Sequence, residues 1–263
     1  VPVPLSDVRA PTGHGAAAGQ PAVAGLPHIM RVGEHALASR YPFKGALLPP
    51  IASPQGAGAA RHFLPAARFE VAAPGGAIAV YVVHINSPRD ALSKYRQPRL
   101  WKWTLFGTPP GVQTSITIDH YWREQNTLVE GLLQHIEAET LPVVVLGDWN
   151  LPDFGPRYRR LTRHLQDAHV LAGSGFGHTF PGDLRHWAAF GQPWMRIDYV
   201  LTDRGHWVVG ECRVQSADEA GDVPLGAAEV DRGDELQDAR SFAHSFIFYA
   251  RIVPTDRPRK GRE

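Results

Sequence analysis

The sequence predicts an α/β fold, in which strands and helices pack as layers on a common hydrophobic core. Short apolar runs typical of buried strands alternate with two longer segments whose apolar residues recur at helical spacing. Polar side chains stand at the ends of the apolar runs, where α/β proteins place their ligand sites. With 263 residues, 43% hydrophobic and 20% charged, the chain has the composition of a globular protein of one domain or two small ones.

The clearest strand is the run of branched apolar residues at 143–146, which is typical of a strand buried on both faces. It ends in Gly147, Asp148, Trp149 and Asn150. An aspartate can position or deprotonate a water, and an asparagine can donate hydrogen bonds to an anionic oxygen. Since Gly, Asp and Asn are also common turn residues, this segment alone does not separate a site from a turn.

Three further strands carry candidate site residues. An apolar run at 79–88 delivers His84 near its end, and a run at 194–201 places Arg196 and Asp198 on the same face. His244 directly precedes a strand predicted at 246–253. Each of these residues taken singly is more often structural than functional, but together they supply the groups that phosphate chemistry needs.

Two helices are predicted. The first spans 119–139, begins with Asp119 as its cap, and turns Trp122, Val129, Leu132, Leu133 and Ile136 inward. The second spans 156–169, has a proline in its first turn, and turns Tyr158, Leu161 and Leu165 inward. Its four arginines are expected to face solvent, with contact to a phosphate-rich ligand as the less favoured alternative.

The order of these motifs resembles the endonuclease/exonuclease/phosphatase superfamily, which includes DNase I-like nucleases, sphingomyelinases and inositol phosphatases. The matching signatures are Ser39-Arg40-Tyr41-Pro42, Val83-His84, Gly147-Asp148-Trp149-Asn150, His178-Thr179-Phe180-Pro181, Arg196-Ile197-Asp198-Tyr199 and His244. The resemblance covers residues 26–254. It implies a four-layer α/β sandwich of two packed mixed β-sheets flanked by helices, the DNase I-like fold.

The resemblance also implies roles for five catalytic residues. Asp148 would orient or activate the attacking water, Asn150 would help to hold the phosphate, and His84 would contact the scissile phosphate. His244 would stabilise or protonate the phosphoryl centre, with Asp198 as its orienting carboxylate, a pairing that fixes the imidazole tautomer. The implied reaction is in-line water attack on a phosphoester, assisted by one or two Mg²⁺ ions.

The chain departs from the family pattern at the metal ligands. The residue before His244 is Ala243, where the family has a metal-binding Asp, and nothing upstream of Leu26 resembles the family's strand ending in Gln-Glu. Three explanations stay open: the chain is truncated at its N-terminus, it binds without cleaving, or another carboxylate replaces the lost ligands. The acidic segment 229–238 is the candidate for that replacement, although a solvated loop is the favoured interpretation.

Outside the domain at 26–254, we expect an irregular segment at 1–25 and a basic tail at 255–263. An insertion at 92–118 interleaves basic and aromatic residues. We favour the interpretation that it packs as a cover on the sheet edge, and the alternative is a surface that contacts bases or lipid. A net charge of +1 supplies no global field for nucleic acid. The single cysteine, Cys212, is expected in the core, and no segment has the length of a membrane span or the pattern of a signal peptide.

The leading prediction is therefore a metal-assisted phosphoesterase, and within that class a phosphodiesterase that hydrolyses a nucleic-acid or phospholipid-type phosphodiester by in-line water attack. The alternative is a non-catalytic phosphate- or lipid-binding domain that has lost its metal ligands. Both nucleic acid and a membrane surface remain candidate partners. Attachment to a membrane through a longer parent chain is a further expectation, because some bacterial members are anchored by an N-terminal region.

Overall fold

The computed structural model of this chain describes residues 27–33, 35–51, 65–87, 112–181, 192–216 and 246–254. Its strands are β1 (His28–Val32), β2 (His35–Ser39), β3 (Phe43–Leu47), β4 (Ala66–Ala73), β5 (Gly76–His84), β6 (Val143–Asp148), β7 (Leu165–Asp167), β8 (Asp198–Asp203), β9 (Trp207–Ser216) and β10 (Phe246–Pro254). Its helices are α1 (Val112–Glu137), α2 (Pro156–His164) and α3 (Ala168–Ala172).

A six-stranded mixed sheet in the order β3-β4-β5-β6-β8-β7 forms the centre of the described structure. Only the β5–β6 pair is parallel, and α1 makes the crossover between these two strands. Two antiparallel pairs, β1–β2 and β9–β10, lie outside this sheet. The predicted strands at 79–88, 143–146 and 246–253 are all present.

One face of the six-stranded sheet packs against α1 and α2. The core on this side joins Tyr81 of β5, Val145 of β6 and Leu201 of β8 to Leu132 of α1 and Leu161 of α2. All five side chains are buried, as the apolar periodicity of the strands and helices predicts. This face anchors the strand whose end carries Asp148.

The opposite face is covered by the two outer strand pairs and by α3. Leu37 of β2 and Trp207 of β9 pack on Val82 and Val144 of the central strands. Cys212 of β9 is buried beside α3, as predicted, and burial raises the pKa of its thiol to about 12. The predicted fold class, an α/β sandwich with flanking helices, is confirmed.

Both predicted helices have different bounds in the structure. The first begins at Val112, so Asp119 lies inside α1 and is not its cap. The second ends at His164, because the next three residues pair with β8 as strand β7. Leu165 is buried as expected, but it belongs to that strand. Tertiary strand pairing outweighs the local helical pattern here.

The predicted strand at 194–201 begins later, at Asp198. Met195 makes an isolated bridge with Phe180, and Arg196 turns into the protein interior, so neither continues the ladder of β8. The insertion at 92–118 contributes its last seven residues to α1, and the rest lies outside the described residues, as do the segments at 1–25 and 255–263. No helix in the described parts of the chain is long and apolar enough to cross a bilayer.

Candidate phosphoester site

Three of the predicted site residues lie side by side at one edge of the central sheet. In the strand register His84 is opposite Asp148, and Asp148 is opposite Asp198. Neighbouring strands are about 4.8 Å apart, and directly opposed residues point to the same face. The end of β5, the end of β6 and the start of β8 therefore place an imidazole and two carboxylates in one row, hereafter the strand-end row.

Accessibility differs along the strand-end row. His84 is exposed, whereas Asp148 and Asp198 are buried, with 9% and 8% of their surface accessible. Of the three side chains in the row, the imidazole is therefore the one most accessible to a ligand from solvent.

Gly147 allows β6 to approach β5 closely just before the row. Its φ is +133°, a conformation that side chains rarely adopt, and an added Cβ would stand 2.0 Å from the Val83 carbonyl oxygen. A glycine is thus required here for backbone reasons.

Asn150 is hydrogen-bonded to Asp148 through both its backbone and its side chain. Its backbone N–H donates to Asp148 Oδ1 at 2.8 Å, and its side-chain Nδ2 donates to Asp148 Oδ2 at 2.9 Å. Nδ2 also donates to the Ile85 carbonyl at 2.8 Å, so both amide hydrogens are used within the protein. Asn150 has a φ of +48°, a region that asparagine tolerates better than most residues. The pair fixes the orientation of the Asp148 carboxylate.

Helix α1 forms a wall next to this edge through residues that the sequence did not indicate. Tyr121 Oη and Gln125 Nε2 donate to the Asn86 carbonyl at 2.8 and 2.9 Å, two residues beyond His84. Burial raises the pKa of Tyr121, the charge of Arg157 opposes that rise, and the charge of Asp148 adds to it. Tyr121 thus lies within the electrostatic field of both groups. In the sequence, only the position of Tyr121 and Gln125 within the predicted helix could have indicated that they lie next to the site.

The contacts of Arg196, which belongs to the predicted strand at 194–201, indicate a structural role. It is 3% exposed, and its Nη1 donates to Asp167 Oδ1 at 3.0 Å while its Nη2 donates to Tyr158 Oη at 3.2 Å. Its guanidinium stacks 4.9 Å from the centre of the Tyr199 ring, and its Nε lies 3.6 Å from Asp153 Oδ2. Arg196 therefore ties the start of β8 to α2 and to the loop after β6.

Asp167 accepts the remaining hydrogen bonds of this buried network. Tyr158 Oη donates to its Oδ2 at 2.8 Å, and the backbone N–H groups of His169 and Val170 donate to its Oδ1, which caps α3. Burial raises the pKa of the Tyr158 hydroxyl, and the charge of Asp167 raises it further. The tyrosine is a permanent donor in this network.

A second charged cluster lies near the carboxyl end of α1. Arg68 Nε donates to Glu139 Oε2 at 2.6 Å, and Tyr81 Oη donates to the same oxygen at 3.1 Å. Burial alone would raise the pKa of Glu139, but its bonds to Arg68 and two backbone N–H groups lower it to about 2. A cleft of about 360 Å³ lies beside this pair, and His135 lines it as well.

The strand-end row and Asn150 account for four of the five predicted site residues. The fifth, His244, lies outside the described residues, as do Ala243 and the acidic segment 229–238. The predicted hydrogen bond between His244 and Asp198 stays a prediction. Within the described residues, no group of three or more His, Cys, Asp or Glu side chains is arranged to hold a metal ion.

A scan against protein families matches residues 14–220 of this chain to the endonuclease/exonuclease/phosphatase family. The match includes every residue of the strand-end row, and it bears out the resemblance and the DNase I-like fold. A search of curated proteins gave no match.

Several solved structures are similar at low identity. A family protein from Leptotrichia buccalis is 15% identical, with a TM-score of 0.48 over 83% of this chain and 64% of that one. The human Nocturnin catalytic domain with bound sulfate is 11% identical, with a TM-score of 0.43 over 84% and 62%. A mannosyl-6-phosphatase from Bacteroides thetaiotaomicron is 14% identical, with a TM-score of 0.37 over 73% and 58%. The chain spans less than two thirds of each of these structures.

Proposed function

Because this chain belongs to the endonuclease/exonuclease/phosphatase family, we propose that it is a phosphoesterase acting on a phosphodiester. The observation that carries the proposal is the register of β5, β6 and β8, which gathers His84, Asp148 and Asp198 at one sheet edge. An imidazole beside two carboxylates can donate a hydrogen bond to an anionic phosphoryl oxygen, and a carboxylate can accept a proton from a nearby water.

Each group in the row has a distinct part in the proposed reaction. Asp148, held by Asn150, orients a water for in-line attack and accepts its proton. His84, exposed at the strand end, donates to a non-bridging phosphate oxygen. Asn150 is a positioning residue, since both of its amide hydrogens are used on Asp148 and Ile85. We retain the pairing of Asp198 with His244 as part of the proposal: as water attacks, the P–O bond to the leaving alcohol breaks, and His244, oriented by Asp198, protonates the leaving oxygen.

The family is generally dependent on divalent metal ions, and Mg²⁺ is the ion that we expect. Asp148, Asp198 and Asn150 offer the oxygen ligands that Mg²⁺ prefers. However, the described residues contain no cluster of three or more side chains that fits an ion. The described part of the site does not by itself fit a resident Mg²⁺, so the proposed steps are assigned to protein groups alone.

A non-catalytic phosphate-binding domain is the second candidate. It is favoured by Ala243, which supplies no ligand at the position where the family has a metal-binding Asp. Such a domain would use the same strand-end row to hold a phosphate and would leave the ester bond intact.

Hydrolysis of two chromogenic esters separates these functions. We expect the chain to release nitrophenol from bis-(p-nitrophenyl) phosphate faster than from p-nitrophenyl phosphate, with Mg²⁺ present, and Asp148→Asn to lower the rate of this release by about 10²–10⁴-fold. Phosphate binding by calorimetry without turnover of either ester would favour the binding domain. Turnover by Asp148→Asn at the rate of the wild type would place the chemistry elsewhere.

A further inference from the structure

Arg157 differs from the other arginines of α2 in its surroundings. Its guanidinium carbon lies 4.5 Å from the centre of the Trp122 ring, and its Nε donates to Asn126 Oδ1 at 2.5 Å. By contrast, Arg160 on the same helix forms an ion pair with Glu130. Among the residues that the structure describes, none supplies a carboxylate to Arg157. The charge of Arg157 is therefore held against α1 by neutral groups.

The guanidinium of Arg157 is oriented but not saturated. The residue is partly buried, and burial lowers the pKa of the guanidinium. A charge removed from water without a paired counter-charge costs free energy, and the cation–π contact with Trp122 offsets part of that cost. Nη2 makes only a long contact of 3.5 Å with the Trp122 carbonyl, and Nη1 donates to no group in the described ranges. These two nitrogens form the fork that binds phosphate in a bidentate manner.

Arg157 lies at the same edge of the sheet as the strand-end row. It belongs to the first turn of α2, which follows the loop after β6. Trp122 and Tyr121 lie in the first half of α1, which starts beyond the end of β5 and runs back to the start of β6. Their rings are 4.9 Å apart, and Tyr121 Oη donates to the Asn86 carbonyl at 2.8 Å. Contacts thus lead without a break from the guanidinium to the segment just beyond His84.

The same path ends at the carboxylates of the row. Ile85 precedes Asn86, and its N–H donates to the Asp148 carbonyl at 2.9 Å. The Tyr121 hydroxyl lies within the electrostatic fields of both Asp148 and Arg157. A phosphoryl group bound at the row therefore has a cation beside it, with the Tyr121 side chain along the path between them.

We propose that Arg157 binds a second phosphate of the substrate, next to the phosphodiester that the strand-end row cleaves. This inference rests on the proposed phosphoesterase function and narrows its substrate class to phosphodiesters that carry a further phosphate. The guanidinium donates to that phosphate through Nη1 and Nη2, while Trp122 and Asn126 keep it in place. The second phosphate can come from the next nucleotide of a strand or from a phosphorylated sugar, because both present the same anionic oxygens.

Turnover of two matched esters tests the role of Arg157. The p-nitrophenyl ester of thymidine monophosphate is assayed with and without a second phosphate on the other hydroxyl of the sugar. We expect the wild type to have the higher kcat/KM for the ester with the second phosphate. Arg157→Gln should lower this preference at least about tenfold, the factor expected for hydrogen bonds between charged groups.

Arg159→Gln is the matched control for the loss of one positive charge from α2. Arg159 is exposed, and its Nη1 donates to the Phe154 carbonyl, so the control should keep the preference of the wild type. A wild type that hydrolyses both esters equally well would overturn the inference and leave the phosphoesterase function standing. An equal fall for both esters in Arg157→Gln would also overturn it, and would assign Arg157 to the packing of α2 on α1.

Calorimetry separates failure of this inference from failure of the phosphoesterase function. Thymidine bisphosphate, thymidine monophosphate and fructose bisphosphate are titrated into the wild type and into Arg157→Gln. A chain that hydrolyses neither ester, but binds a bisphosphate more tightly than the monophosphate only while Arg157 is present, would refute the function and support the second-phosphate site. Under that result, tight binding of thymidine bisphosphate alone identifies a nucleotide as the source, and binding of fructose bisphosphate as well identifies a phosphorylated sugar. Equal binding of the two thymidine compounds, or binding of none, would overturn the inference.

Discussion

Asp148 and Asp167 are buried carboxylates at the ends of two strands of the same sheet, yet their surroundings differ. Asp167 meets the arginine Arg196, a tyrosine hydroxyl and two backbone N–H groups, which use its oxygens fully. Asp148 is held by Asn150 and has the exposed His84 beside it in the register. A carboxylate saturated by the protein stabilises the fold, whereas one that is oriented beside an accessible imidazole can act on a ligand.

Exchanging the two carboxylates for carboxamides should separate these roles most strongly. We expect Asp148→Asn to lower phosphodiester turnover by about 10²–10⁴-fold, the usual contribution of a general base, and to lower the unfolding midpoint less than Asp167→Asn does, because the new amide opposes a neutral N–H donor of Asn150 rather than the buried Arg196. Asp167→Asn should lower the midpoint and leave turnover per folded molecule nearly unchanged. Turnover and thermal unfolding of both variants are the measurements, and the reverse pattern would exchange the roles we assign.

Removing Arg196, the cation of the buried network around Asp167, tests how much this network contributes to the free energy of unfolding. We expect Arg196→Leu to lower the free energy of unfolding by about 3–5 kcal/mol, because it leaves Asp167 buried without its charged partner. Arg160→Leu is the matched control, since Arg160 pairs with Glu130 at the surface and its loss should be hardly measurable. Urea unfolding compares the two, and equal effects would contradict a special role for Arg196.

The Arg68–Glu139 pair is a further buried carboxylate contact that stabilises the fold, and its contribution to stability depends on pH. The pKa of Glu139 is lowered from 4.5 to about 2, so its contribution to stability is complete above pH 4.5 and is lost as the pH falls toward 2. We expect Glu139→Gln to flatten the decline of the unfolding midpoint across that window. A decline with unchanged slope would assign acid sensitivity to other carboxylates.

Restoring the missing family ligand is expected to have the smallest effect. We predict weak Mg²⁺ binding by the wild type, because position 243 has an alanine and Mg²⁺ requires well-placed oxygen ligands. Ala243→Asp should bind Mg²⁺ more tightly in a calorimetric titration. Tight Mg²⁺ binding by the unmodified chain would refute this prediction and would direct attention to the acidic segment 229–238.

The sequence predicted the strands that build the site because their signals are local. Residues 143–146 form an unbroken apolar run followed by Gly147 and Asp148, and both the strand and its polar end are present. The placement of His84 at the end of β5 follows from the same kind of pattern. The family resemblance implied that these groups meet, and the strand register places three of them, His84, Asp148 and Asp198, side by side.

Tertiary contacts decided the features that the sequence did not predict. The helix predicted at 156–169 ends at His164, because Leu165 and its neighbours gain a pairing with β8 that no local pattern contains. Arg196 was assigned to a strand face, but its burial depends on Asp167, which lies 29 residues away in sequence. Asn150 was expected to hold phosphate, whereas its amide hydrogens are used on Asp148 and Ile85, a fact of geometry rather than of residue type.

The central claim, that the strand-end row is the phosphate site, can be tested by NMR with inorganic phosphate alone. We predict that titration shifts the imidazole resonances of His84 and perturbs the side-chain amide of Asn150, while the imidazole of His135 stays unchanged. His135 is the internal control, since it lines the separate cleft beside Arg68 and Glu139. Saturable shifts at His84 without shifts at His135 are the predicted result. Shifts at His135 with His84 unaffected would contradict the account.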